Sequence, residues 1–224
     1  MSTIQKDFDR IALVSAVSED GGAHNDHYHN LLLRHFPSNC HDVLEIGCGT
    51  GGFARRLAER SQHVLAFDLS PEMIRLARER SAEFPNLEFE LADISDRPLP
   101  DEAFDCIASI ATLHHLPLAE ILLKMKAALK PGGVLLVLDL FEPAGLSDSL
   151  LNCLAVPVST TLRLIHHGRL LPRRQVRDAW KEHELHDLYP TMREVRQLCA
   201  SVLPGARIKK HLLWRYSIVW QKAG

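Results

Sequence analysis

Val43-Leu44-Glu45-Ile46-Gly47-Cys48-Gly49-Thr50-Gly51-Gly52 decides how the rest of the chain is read. A short strand pattern runs straight into a cluster of glycines, and a helix pattern follows over residues 53–60. Glycines at such a turn let the backbone pass close under a ligand, with the N-terminus of the next helix aimed at it. A second strand pattern, His63 to Phe67, ends at Asp68. An acid at that strand end can accept both hydroxyls of a ribose. The bland alternative is a tight turn that holds nothing. Asp68 in the right place makes a nucleoside-bearing ligand the stronger reading.

The pattern continues outward. Ser70-Pro71-Glu72 is a helix start, with a capping serine, proline in the first turn and an acid near the positive end of the dipole. Leu87 to Leu91 is a third strand, followed by Ala92-Asp93, and Phe104 to Ile110 is a fourth. Pro117 to Leu129 reads as helix and Lys130-Pro131-Gly132-Gly133 as a turn. Val134 to Leu138 is apolar on both faces and ends at Asp139, which places it inside a parallel sheet. Strand-helix alternation at this spacing predicts an open α/β sheet. Near the end, Thr191 and Glu194 form a capping box opening a helix to about Leu203. Ala206 to His211 and Trp214 to Trp220 lie so close together that they must form an antiparallel hairpin. The expected fold is therefore a Rossmann-like, seven-stranded mixed sheet with a C-terminal antiparallel hairpin. Before it all, residues 1–25 are mixed, and residues 26–36 carry Tyr28, Leu31, Leu32, His35 and Phe36 on one helical stripe that Pro37 stops.

Composition sets the outer limits. The 224 residues carry 26 Lys plus Arg against 28 Asp plus Glu, a net charge of −2. No whole-surface attraction to nucleic acid or an anionic membrane is expected. Five scattered cysteines without Cys-x-x-Cys spacing argue against a disulfide framework or a zinc knot and fit a reducing cytoplasm. The apolar run from Ile11 to Val17, preceded by Asp7 and Asp9, is too short for a signal peptide. No run approaches the roughly 18 apolar residues of a membrane span.

The glycine spacing also satisfies a dinucleotide fingerprint over Gly47, Gly49 and Gly52. Three features favour another ligand. Glu45, two residues before the first glycine, would repel a pyrophosphate and attract a cationic amine. Asp93, next to Ile94 at the end of the third strand, is placed to hydrogen-bond an adenine amino group. The hairpin end leaves no room for a second catalytic domain.

Taken together, Val43 to Gly51, Phe67-Asp68-Leu69-Ser70-Pro71, Ala92-Asp93-Ile94, Phe104-Asp105 through Leu113-His114-His115-Leu116, and Leu129 to Gly133 resemble the class I S-adenosylmethionine-dependent methyltransferases. The similarity is closest to small-molecule enzymes of the type 11-like kind, with a Leu-His-His signature after strand four. The resemblance implies one methyltransferase domain over residues 1–224. Within it lie an N-terminal helical cap (1–40), a cofactor-binding core (41–140), a helical substrate-side insertion (141–190), and a helix plus hairpin (191–224). It further implies that Gly47, Cys48, Gly49 and Gly51 line the methionine part of S-adenosylmethionine and that Glu45 lies near its ammonium. Asp68 would hold the ribose, with Leu69 and Met73 beside the adenine and Asp93 and Ile94 at its edge and face. Ser109, ending strand four, would face cofactor and acceptor. The N-terminal helix closes over the cofactor in such enzymes, so Tyr28, in the histidine-rich stretch His24 to His29, is expected to line the site. Met73 reads equally well as an ordinary core residue, and the histidines as a polar helix end.

Methyl transfer from a sulfonium is an in-line displacement, for which the protein supplies alignment and exclusion of water. A base is needed only if the acceptor must lose a proton. His114 and His115 are the candidates, being imidazoles just past strand four. The insertion carries Arg163, Arg169, Arg173, Arg174 and Arg177, with His166 and His167 and no acid from Ser149 to Arg177. That stretch could bind an acidic group or RNA, or be a solvated helix face. Leu150, Leu151, Leu154, Val158 and Leu162 suggest a helix over an apolar pocket. Asp139 is followed by Leu140 rather than by the carboxylate set of metal-dependent relatives, so no metal is expected. The expected reaction is methylation of a small-molecule acceptor, oxygen slightly before nitrogen or carbon, with no nucleic-acid or membrane partner. The rivals are an NAD-dependent oxidoreductase, a non-catalytic binding protein of the same fold, and an RNA methyltransferase.

Overall fold

The computed structural model describes residues 3–17, 23–143 and 189–224. Its centre is a parallel array of β1 (Cys40–Ile46), β2 (Ser61–Asp68), β3 (Leu87–Leu91), β4 (Phe104–Ile110) and β5 (Leu129–Leu140). The array is completed by β6 (Arg207–Lys210) and β7 (Arg215–Gln221) in the order β3-β2-β1-β4-β5-β7-β6. β7 runs antiparallel to β6, as the hairpin reading requires, and also antiparallel to β5. The order reverses between β1 and β4, and the crevice outside their carboxyl ends is where such sheets bind ligands.

The strand residues explain the burial. Val43 and Leu44, Cys106 and Ile107, and Leu135 and Leu136 are successive pairs whose side chains point to opposite faces, and all six are 0% exposed. Leu44, Ile107, Leu135 and Tyr216 face a cluster with Leu122 and Met125 of α5 (Leu118–Ala128) and Val195 and Cys199 of α6 (Met192–Val202). Val43, Val64, Ala108 and Leu136 face Leu32 of α2 (Ala23–Leu33) and Phe53 and Leu57 of α3 (Gly52–Ala58). α4 (Pro71–Arg80) starts at Ser70, whose hydroxyl accepts the Met73 N–H, and α6 starts with the complete Thr191–Glu194 capping box.

One element differs from expectation, and another takes its bounds only from the structure. The turn Lys130–Gly133 lies inside β5 as a bulge: Leu129 pairs with Phe104, and the ladder resumes at Val134 opposite Cys106. The sequence pattern carries the helix to Leu129 and turns the chain at Lys130–Gly133, but Leu129 finds a strand partner that only the packed sheet supplies. The N-terminal residues form α1 (Thr3–Val17), which packs Phe8, Ile11 and Ala12 against Met73 and Leu76 of α4. Its apolar stripe is short, and tertiary burial stabilises what local pattern does not announce.

At the amino-terminal edge, Lys130 Nζ lies 2.8 Å from Asp42 Oδ2 and 3.0 Å from Asp105 Oδ2, and the Asp42 and His41 N–H groups also donate to Asp105. Burial opposes ionisation of Asp105, but these donors together hold its carboxyl below the ordinary value. The cluster ties β1, β4 and β5 together beneath the crevice.

Cys40, Cys48, Cys106 and Cys199 are buried free thiols. Burial pushes Cys40 up to about 12 and Cys199 to about 11, and Cys48 and Cys106 well above the usual range. Thiolate is the reactive form. At pH 8, a disulfide reagent is therefore expected to leave these four unmodified in the native protein and to modify them after unfolding. No described helix is long and apolar enough to cross a membrane. The expectations for the insertion, including its arginines and its apolar stripe, fall on residues 144–188 and lie outside the described residues.

Candidate functional site

The turn after β1 is shaped by its neighbours. Gly47 has φ 76°, and a Cβ there would stand 2.0 Å from Thr112 Oγ1, in the loop after β4. The two loops at the switch point are thus pressed together. Gly49 has φ 52° but no heavy atom within 4 Å of a Cβ position, so its flank is open. Gly51 caps α3. Between them Cys48 is buried.

Asp68 holds this turn. Its Oδ2 accepts the Gly49 N–H at 2.7 Å and its Oδ1 the Ser70 N–H at 2.9 Å. Burial raises its pKa, and the N–H groups of Ser70, Gly49 and Leu69 counteract part of that rise. A carboxylate has about four lone-pair sites, so these backbone donors do not exhaust it. Glu45 is 1% exposed, and its Oε2 has no hydrogen-bond partner among the described residues. Burial, and then the charge of Asp68, push its carboxyl well above the usual range, with Arg55 opposing. A buried carboxylate is costly unless paired, and a cationic group beside Glu45 would satisfy it.

Leu69 is half-buried and Met73 buried. Asp93 accepts the Ser95 N–H at 2.9 Å, and Ile94 is 5% exposed. Over these loops lies α1. Ser70 donates to Asp9, while Phe8 meets the His115 ring edge-on at 5.4 Å between centroids. Two successive residues of one helix thus reach the loops after β2 and after β4, so α1 crosses the carboxyl ends between them.

Past β4 the backbone passes through Ala111, a non-glycine at φ 52°, into the short 3-10 turn Leu113–His115. Strained backbone of this kind concentrates at functional sites. His114 Nδ1 lies 2.6 Å from Asp139 Oδ1, with side-chain exposures of 4% and 0%. The His114 ring also packs on His115 at 3.8 Å and on Tyr189 at 5.0 Å. In the sequence Asp139 stands only as the end of an apolar strand, without the carboxylate set of metal-dependent relatives. Its pairing with His114 joins residues 25 apart that local pattern does not connect.

Two expected site residues go elsewhere. Ser109 is 0% exposed, and its hydroxyl donates to the Ile46 carbonyl at 2.9 Å, locking β4 to β1 instead of facing the crevice. Tyr28 donates to the Leu212 carbonyl at 2.6 Å, with His211 and the Arg215 guanidinium beside its ring. It fastens α2 to the β6–β7 turn, so its hydroxyl serves the scaffold. His29 packs on Phe53 in the core, and the side chains of His24 and His27 lie outside the described residues.

Comparison with known proteins bears directly on this site. The methyltransferase domain family matches residues 43–133. An uncharacterized methyltransferase of Mycobacterium tuberculosis is 32% identical over 201 residues, covering 88% of this chain and 95% of that protein. The chain belongs to the S-adenosylmethionine-dependent methyltransferases. This methyltransferase is also 41% identical to the malonyl-[acyl-carrier protein] O-methyltransferase of Serratia marcescens over 95 residues, 42% of the chain and 36% of that protein. Its fold matches that of the N-methyltransferase NodS from Bradyrhizobium japonicum in complex with S-adenosylhomocysteine, with TM-score 0.65, 16% identity and all of both chains covered. Membership decides what the glycine spacing left open. The methyltransferase uses S-adenosylmethionine, not NAD, and is an enzyme, not only a binding protein.

Proposed function

We propose that this methyltransferase acts on a small-molecule acceptor and methylates oxygen in preference to nitrogen or carbon. The observation that carries the reading is the buried His114–Asp139 pair just beyond β4. A hydroxyl must lose a proton on methylation, so an imidazole at that position has work to do. A neutral amine attacks with its own lone pair and needs no base to begin. Of the two histidines, His114 is the base in this reading, because His115 packs against Phe8 of α1.

The residues present suit the cofactor. Glu45 supplies the anion for an α-ammonium, and the open flank of Gly49 admits the methionine part, with Gly47, Cys48 and Gly51 shaping the same turn. Asp68 keeps lone pairs for ribose hydroxyls. Leu69 and Met73 border the adenine on one side, Asp93 and Ile94 on the other. When bound, S-adenosylmethionine supplies an electrophilic methyl carbon. The chain aligns the acceptor with it, excludes water beneath α1, and takes the acceptor's proton at His114.

The test uses tritium-labelled methyl on S-adenosylmethionine and a cell extract divided by dialysis. Label is expected in the dialysable fraction, on oxygen by mass spectrometry. Label confined to protein or RNA would overturn the reading.

Glu45 adds a prediction with a sign. In the unliganded fold its raised pKa favours the neutral acid. A bound ammonium favours the carboxylate, so cofactor binding should release a proton and tighten as pH rises towards that raised value. Calorimetric titration with S-adenosylhomocysteine in buffers of different ionisation enthalpy reads the release directly. Glu45→Gln should abolish it.

A further inference from the structure

We infer that Asp139 is a positioning residue, which fixes the tautomer and the ring plane of His114 so that Nε2 is the atom that takes the acceptor's proton. The inference rests on the proposed role of His114, but its test does not need the acceptor.

β5 is apolar from Val134 to Leu138 and then places a carboxylate, 1% exposed, at its crevice end. A buried carboxylate there is expensive, and replacing a buried ion pair by packed apolar groups is often neutral or stabilising. Stability alone therefore does not account for Asp139. Its satisfaction is also incomplete. Oδ1 accepts the Leu140 N–H at 2.8 Å and faces His114 Nδ1 at 2.6 Å, while Oδ2 has no partner among the described residues. Tyr216 is directly opposite Asp139 on β7, and its hydroxyl is likewise buried without a described partner. Burial, and secondarily the charge of Asp139, push that phenol up, so it stays protonated. The ladder and the Leu140 N–H hold the carboxylate still, although the corner is not optimised for hydrogen bonding.

A carboxylate offers only lone pairs, so the short contact requires the proton on His114 Nδ1. The neutral ring then carries its lone pair on Nε2. His115 and Tyr189 pack against the same ring and restrict its rotation. In the transfer, the acceptor's proton moves to Nε2 and the bonding pair it leaves stays on the acceptor oxygen. The imidazolium so formed is stabilised by the Asp139 charge.

Long-range proton–nitrogen NMR on full-length protein with nitrogen-15 histidine tests this, the His114 signals being identified by their loss in His114→Gln. In the neutral ring the proton should reside on Nδ1. In Asp139→Asn it should move in whole or in part to Nε2, while S-adenosylhomocysteine affinity, measured by calorimetry, stays that of the parent. A parent protein with its neutral His114 protonated at Nε2 would overturn the inference, as would an Asp139→Asn protein that keeps the Nδ1 proton in full. Should the variant not fold, the parent spectrum alone still decides. A correct tautomer combined with undiminished methyl transfer by His114→Ala would sink the base assignment and leave the positioning of the ring intact.

Discussion

Replacing His114 with alanine should lower the rate of methyl transfer by about 10²- to 10⁴-fold, the range over which a positioned general base contributes. That corresponds to roughly 3–5 kcal/mol of transition-state stabilisation. Affinity for S-adenosylhomocysteine should not change, because His114 is not among the groups proposed to hold the cofactor and its ring packs on Asp139, His115 and Tyr189. Single-turnover transfer of labelled methyl, measured beside calorimetry, separates the two. His115→Ala should have a smaller effect on transfer, since its ring supports its neighbour and α1. A His114→Ala protein that transfers methyl at the parent rate would show that the acceptor arrives already deprotonated or never loses a proton before attack.

The second large effect comes from two glycines separated only by Cys48, whose substitutions should fail for different reasons. At Gly49 an added Cβ meets no protein atom within 4 Å, and φ 52° imposes a left-handed strain of about 1–2 kcal/mol. Gly49→Val should therefore still unfold cooperatively, at a modestly lower temperature. It should nonetheless lose at least about 100-fold in S-adenosylhomocysteine affinity, about 2.7 kcal/mol, because the new side chain fills the open flank. At Gly47 a Cβ would stand 2.0 Å from Thr112 Oγ1 and 2.7 Å from Thr112 Cβ, so rotating the threonine does not relieve it. Gly47→Ala should cost about 1–3 kcal/mol of stability through overpacking. Thermal melts with and without S-adenosylhomocysteine distinguish the cases. The Gly49 variant loses the ligand-induced rise in melting temperature, whereas the Gly47 variant starts low. A Gly49→Val protein that binds normally would move the cofactor away from this turn.

Much of the site was legible because its chemistry is written in contiguous runs. The glycine turn, Asp68 at a strand end, and Asp93-Ile94 at another are local patterns, and the folded chain brings all three to one end of the sheet. Ser70 as a cap and the Thr191–Glu194 box were equally readable, because capping is chemistry between residues three apart. Tyr28 and Ser109 were expected beside the cofactor, and their hydroxyls bond elsewhere for a common reason. A hydroxyl's partner is chosen by whatever backbone carbonyl the fold brings near, and here those carbonyls are Leu212, 184 residues away, and Ile46, 63 residues away. Helix α1 is implied only by the resemblance, as part of the cap over residues 1–40, because its stability comes from α4, not from caps or a long apolar stripe.

The amino-acid order alone determined the alternation of strand and helix, the antiparallel end, and the placing of a glycine turn and an acid at neighbouring strand ends. Each follows from hydrophobic period, turn chemistry and spacing, which act over a few residues and need no partner. Only the folded chain decided which histidine faces a carboxylate, which glycine is open and which is pressed against Thr112, and that α1 spans the crevice. Those depend on contacts between segments far apart in the chain, and close packing resolves them only when every strand has found its register.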